Sequence, residues 1–142
     1  MFTLFVDGGG TATSPTYFSY RCIETQQGEF NPIRMDRFYL TNLSKELLPP
    51  NCSIVDTNGK QSNNIAEYCA LVMGLERFKR FYDGKAVKIF HDSEIVHHSV
   101  LGLYQCKAVH LIPWYNAARR LWWNKIDYQW INREEIVKVL GH

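Results

Sequence analysis

No apolar run in this sequence approaches the roughly 18 residues that a membrane-spanning helix requires, so a helical membrane protein is not expected. Paired C-x-x-C spacing is also missing. The four cysteines, Cys22, Cys52, Cys69 and Cys106, are scattered, which fits reduced, mostly buried thiols better than disulfides or zinc ligands. The opening Met-Phe-Thr-Leu-Phe-Val-Asp has no basic start, apolar block or cleavage site of a secretory signal, and a cytoplasmic protein is expected. Charge of one sign is scarce: sixteen Lys and Arg against fourteen Asp and Glu leave a net charge of +2, too small to announce a nucleic-acid binder. Aspartate is absent after Asp127.

What remains is globular in composition, 46% hydrophobic and 21% charged over 142 residues, which predicts one soluble domain spanning 1–142 and a monomer. Basic residues nevertheless cluster. Arg77, Lys79, Arg80, Lys85, Lys88, Arg119, Arg120 and Lys125 are interleaved with Phe78, Phe81, Tyr82, Trp122 and Trp123. The mix suits phosphates and stacked bases, but taken by itself it suits better two amphipathic helices with solvated basic faces.

Phe2 to Asp7 alternates as a strand, and Gly8-Gly9-Gly10 then predicts a flexible turn that receives Asp7. Tyr17 to Glu24 and Ile33 to Leu40 read as two further strands, with Gln26-Gln27-Gly28 and Asn31-Pro32 as turn chemistry, giving a three-stranded antiparallel meander. Residues 41–61, with Pro49-Pro50 and Asn58-Gly59, read as a long connection. From Ser62 the period becomes helical: Leu71, Leu75 and Phe78 share a stripe, and Glu67 lies on it four residues before Leu71. Asp83-Gly84 ends that helix. Ala86 to His91 is a buried-type strand with Asp92 at its end, followed by a helix from 93 towards Gly102. Pro113 to Trp123 predicts a helix, Ile126 to Ile131 a strand, and Asn132 to Glu135 a capping box opening a last helix with Ile136, Val137 and Leu140 on its apolar face.

Three acids therefore sit where acids are costly: Asp7 and Asp92 at strand ends and Glu67 on an apolar helix face. Clustered carboxylates repel unless a cation or a shared proton relieves them, and hard oxygen ligands suit Mg²⁺ or Mn²⁺. Two such ions can activate a water and stabilise a leaving oxygen in phosphodiester hydrolysis. Taken singly, Asp92 is also placed to be a plain helix cap.

Phe5-Val6-Asp7-Gly8-Gly9-Gly10, the stretch Ser62 to Leu71 and His91-Asp92-Ser93-Glu94-Ile95-Val96 resemble the first three motifs of type 1 ribonuclease H. Leu103 to Lys107, Pro113 to Arg120 and Trp130 to Glu135 extend the likeness, which is loosest at 11–60. The resemblance implies an α/β ribonuclease H-like fold: a mixed five-stranded sheet, three antiparallel strands then two parallel, flanked by helices. It also implies two divalent ions and endonucleolytic cutting of the RNA strand of an RNA·DNA hybrid. By the same resemblance Asp7, Glu67 and Asp92 are metal ligands, Asn64 with the backbone near Gly9 and Gly10 reads RNA 2′-hydroxyls, and Asn63 lies nearer the DNA strand. An amide both donates to and accepts from a 2′-hydroxyl, although Asn63-Asn64 also has the form of a helix cap.

The chain departs from the family at three places. Thr11 to Thr16 stands where a basic residue and more glycine are frequent. His98 occupies a substrate-contacting position usually held by Gln or Asn, while His97 is expected at the surface. Counting from Arg133 puts Leu140 on the family's fourth acid; with two more residues the ligand position falls on His142, which is either a replacement ligand suited to Mn²⁺ or a frayed end. A binding module without cleavage, and a same-fold nuclease for structured DNA, remain the rival readings.

Overall fold

The computed structural model of the chain describes the backbone of residues 2–9, 16–26, 29–82 and 84–140, and their side chains except within 22–26, 29–38, 78 and 80–82. Five strands form one sheet: β1 (Phe2–Gly9), β2 (Tyr17–Gln26), β3 (Glu29–Tyr39), β4 (Val87–His91) and β5 (Ile126–Trp130), in the order β3-β2-β1-β4-β5. β1 pairs antiparallel with β2 and parallel with β4; β2–β3 is antiparallel and β4–β5 parallel. The described residues form the helices α1 (Asn63–Tyr82), α2 (Glu94–Val100), α3 (Ile112–Leu121) and α4 (Arg133–Leu140).

Alternation decides the faces. Leu4 and Val6 of β1 lie abreast of Ile89 and His91 of β4, and all four are fully buried on the face covered by α1. The opposite face carries the Phe5–Phe90 stack, with ring centroids 5.2 Å apart, and receives α4. α1 is buried at every position from Ile65 to Val72, because it lies between the sheet and α3. Each large apolar side chain sealed there contributes roughly 1.5–3 kcal/mol.

Several sequence expectations are corrected. The strand does not break at the glycines: Gly8 and Gly9 are paired with Phe18 and Tyr17 inside β1, because β2 runs long enough to meet them. Asn31-Pro32 is not a turn but part of β3, an edge strand where a residue without an N–H is tolerated. The connection 41–61 is not structureless. It contains short 3-10 turns at Leu40–Asn42 and Lys45–Leu47, packs Leu43, Leu48, Cys52 and Ile54 on the core, and is tied down by the Trp114 indole N–H donating to the Ser53 carbonyl at 2.9 Å. His97 is buried, since its Nε2 lies 3.0 Å from the Tyr128 carbonyl. Val137 faces solvent, and only Ile136 and Leu140 of α4 are buried.

The basic stretches divide by role. Arg77, Lys79, Arg119, Arg120 and Lys125 are exposed, whereas Trp122 and Trp123 are half-buried and pack against the core. Among the described residues no helix is long and apolar enough to cross a membrane.

Candidate active site

The parallel register of β1 and β4 sets Val6 beside His91, so the next residues, Asp7 and Asp92, come side by side at the carboxyl ends of neighbouring strands. This is where α/β sheets gather their ligands. Asp7 points to the Phe5–Phe90 face and is fully buried. Asp92 is not the helix cap: the Ser93 hydroxyl accepts the Val96 N–H at 3.2 Å and opens α2.

Glu67 arrives from α1, and Gly8 permits it. A Cβ on Gly8 would sit 2.3 Å from the Ala66 carbonyl carbon and 2.5 Å from the Glu67 nitrogen, so only glycine lets the helix lie this close to β1. The Gly8 N–H then donates to Glu67 Oε1 at 2.7 Å. The capping of α1 falls to Ser62, whose hydroxyl accepts the Ile65 N–H at 3.2 Å, so neither Asn63 nor Asn64 is consumed as the cap. Asn63 is exposed and Asn64 half-buried, four and three residues ahead of Glu67 on the same side of the helix.

Crowding by neighbouring acids in low dielectric raises the affinity of Asp7 and Glu67 for protons. Burial, then the charges of Glu67 and Asp92, push Asp7 up to about 9. Burial and the charge of Asp92 push Glu67 up to about 8, against the opposing pull of the Gly8 N–H. An assembly of oxygens that resists ionising by itself is a site for a hard divalent cation, and Asp7, Glu67 and Asp92 fit one by donor chemistry.

Two residues not singled out from the sequence belong to this cluster. His91 is fully buried beneath the acids: its Nε2 lies 2.6 Å from Glu67 Oε2, off the line of a well-formed hydrogen bond, and its Nδ1 lies 2.5 Å from the Tyr128 hydroxyl. Burial pushes this imidazole down to about 4, so it is neutral. One ligand atom from each of Glu67, His91 and Asp92 lies within 4.8 Å of the others. Arg133, the first residue of α4 and largely exposed, places Nη1 3.7 Å from Asp92 Oδ2. The signal for His91 was the alternation Val87, Ile89, His91, which puts a histidine on a strand's apolar face.

The remaining expected residues are dispersed. Gly9 lies in β1, where a Cβ would stand 3.2 Å from the Tyr17 hydroxyl. Half-buried His98 lies on α2, its Nδ1 3.0 Å from that of His97 and its ring 4.8 Å from Tyr104 and 5.8 Å from Trp130. Trp130 is half exposed, and its indole N–H donates to the Asp92 carbonyl at 3.1 Å. Leu140, onto which the count from Arg133 puts the fourth acid that the resemblance implies, is buried. Gly10 and His142 lie outside the described residues.

No protein-family profile matches the sequence, and no curated protein does. Solved structures do match. LC11-RNase H1 in complex with an RNA/DNA hybrid superposes with a TM-score of 0.72 at 20% identity, covering 97% of this chain and 90% of that one. RNase H1 from the halophilic archaeon Halobacterium salinarum NRC-1 gives 0.69 at 19% identity, covering 95% and 88%. The N-terminal RNase H domain of rv2228c from Mycobacterium tuberculosis gives 0.68 at 19% identity, covering 96% and 90%. With the strand order and helix placement above, these likenesses show that the chain has the ribonuclease H-like fold.

Proposed function

We propose that residues 1–142 act as a single ribonuclease H-like domain, a divalent-metal-dependent endonuclease that hydrolyses the RNA strand of RNA·DNA hybrids. The observation that carries the reading is the convergence of Asp7, Glu67 and Asp92, with Asp7 and Glu67 pushed to about 9 and 8 in the absence of a cation. Asp7, Glu67 and Asp92 would hold two Mg²⁺ or Mn²⁺ ions. Bound there, the ions supply an activated water and charge stabilisation for the leaving 3′-oxygen. The chain's own part is to hold Glu67 through the Gly8 N–H, to keep Asp7 out of bulk water, and to offer the phosphate the Arg133 guanidinium beside Asp92. Cleavage of a labelled hybrid in Mg²⁺ and in Mn²⁺, abolished by EDTA, tests the reading directly.

Substrate choice falls to Asn64, with Gly9, Gly10, Asn63 and His98 as further contacts. Asn64→Ala is expected to reduce hybrid cleavage about tenfold, the value of one hydrogen bond to a 2′-hydroxyl, while the parent cuts duplex DNA poorly. Equal rates of the parent on hybrid and duplex DNA would transfer the reading to a nuclease for structured DNA.

The fourth ligand is assigned to His142. Leu140 is buried in its place, so a fourth ligand supplied by the end of α4 would come from beyond it. A neutral imidazole favours Mn²⁺ over Mg²⁺. His142→Ala should lower cleavage in both metals, and His142→Asp should retain it or improve it with Mg²⁺. Unchanged cleavage by His142→Ala in both metals would make the histidine a bystander. The buried Leu140 favours a second reading, a module that holds hybrid without cutting it, and tight hybrid binding without cleavage in either metal would select it.

A further inference from the structure

We infer that Tyr128 and His91 form a buried positioning relay for Glu67, with the Tyr128 hydroxyl donating to His91 Nδ1 and His91 Nε2–H donating to the Glu67 carboxylate. The inference rests on the proposal that Glu67 is a metal ligand.

The argument is one of satisfying buried groups. Tyr128 lies on β5 with its side chain sealed, and its hydroxyl meets His91 Nδ1 at 2.5 Å. Among the described residues, this is the hydroxyl's only hydrogen-bonding contact. A buried hydroxyl must donate its proton, so Nδ1 is the acceptor and a neutral ring then carries its hydrogen on Nε2. That nitrogen faces Glu67 Oε2 at 2.6 Å, a separation that two acceptors would not tolerate and that a donor and a carboxylate close by a small ring rotation. With Glu67 ionised, as metal ligation requires, the opposite tautomer would leave both Nε2 and Oε2 as acceptors in contact, and with Glu67 protonated it would still orphan the buried Tyr128 hydroxyl proton.

The relay thus gives Glu67 a hold at both oxygens: Oε1 accepts from the Gly8 N–H at 2.7 Å, and Oε2 accepts from His91 once the ring turns into line. Each oxygen keeps lone-pair capacity for a cation, and the carboxylate's rotation is fixed before one binds. The Tyr128 backbone carbonyl lies 3.0 Å from His97 Nε2 and within the β5 ladder, so the far end of the relay is itself anchored. Outer partners of this kind typically change metal affinity ten- to a hundredfold.

The test uses the full chain, labelled with ¹⁵N-histidine and assigned against His91→Leu. Nitrogen spectra without metal and with Mg²⁺ should show the His91 proton on Nε2, and bare Nδ1, in both states. A proton on Nδ1, or loss of the Nε2 proton when Mg²⁺ is added, would overturn the relay, the latter in favour of direct ligation by His91. In parallel, Mn²⁺ binding is followed by the EPR signal of the free ion. His91→Leu should weaken it about tenfold or more, Tyr128→Phe less, and His91→Gln, which keeps a donor, should recover most of it. On hybrid, His91→Leu should lower kcat with KM unchanged. Parent-like Mn²⁺ affinity in a folded His91→Leu protein overturns the proposal. A parent that binds Mn²⁺, shows the Nε2 proton and cuts no hybrid would overturn the nuclease reading and leave the relay standing.

Discussion

Asp7→Asn is expected to lose cleavage by about a thousandfold or more, several kcal/mol of transition-state stabilisation, and at the same time to melt at a higher temperature than the parent in metal-free buffer. Both follow from one charge. Asp7 is fully buried beside Glu67 and Asp92, and its carboxyl is raised from 3.8 to about 9. A carboxyl whose folded pKa is raised contributes stability that is fully present below its unfolded value and is lost as pH rises through its folded value. With Asp7 at about 9 and Glu67 at about 8, the metal-free parent should therefore lose stability steadily from pH 4 to pH 9. Asn carries no charge to repel its neighbours, so the variant's melting temperature should vary less over that window. At pH 8 it should exceed the parent's by on the order of 5 °C. Mg²⁺ should narrow the gap by stabilising the parent. A variant that melts with the parent at pH 8, or that cleaves at the parent's rate, contradicts the reading of the acids as a charge-strained cation site.

Gly8→Ala should move stability in the opposite direction. The added methyl would lie 2.3 Å from the Ala66 carbonyl carbon and 2.5 Å from both the Ala66 oxygen and the Glu67 nitrogen, all backbone atoms that cannot swing aside. The helix must lift from β1, which costs about 3 kcal/mol and on the order of 10 °C in melting temperature. The lift also carries Glu67 away from Asp7 and Asp92, so cleavage and Mn²⁺ affinity should fall together. Melting within a degree or two of the parent would show that α1 does not press on β1 as described.

The pair of variants also marks what sequence could disclose. Asp7, Glu67 and Asp92 were findable because each breaks a pattern: an acid closing an alternating strand, or an acid on an apolar helical stripe. Their meeting was likewise implied by strand ends and a helix face. Gly8 was misread, since glycine in sequence signals a turn, whereas here the missing side chain serves a helix packed across the strand. The packing partner, Ala66, is far along the chain, and no local pattern names it. His91 stood on the apolar face of its strand and was passed over, although its contacts with Glu67 and Tyr128 join three elements. The 41–61 segment lacks periodicity because its Leu40, Leu43 and Leu48 anchors are spaced by irregular turns, and burial without a period leaves no signature. The tryptophans at 122 and 123 left a binding surface open as an alternative because composition does not tell a partly buried ring from an exposed one.

The central place of β1 has a consequence for how the chain comes to be made. Its antiparallel neighbour β2 follows within a few residues and is available early in synthesis, but its parallel neighbour β4 begins only at Val87. An emerging chain thus holds a hairpin that presents Asp7 alone, with one edge of β1 open, through the translation of β3, the connection 41–61 and α1. Glu67 and Asp92 reach Asp7 only when α1 and β4 dock, so the mutual repulsion of the acids is deferred to a late step of folding. On the proposed function, ambient Mg²⁺ would then act as a folding ligand, pulling that last docking forward. Under chelation, nascent chains should linger with the β1 edge uncovered and remain open to proteolysis between β3 and β4.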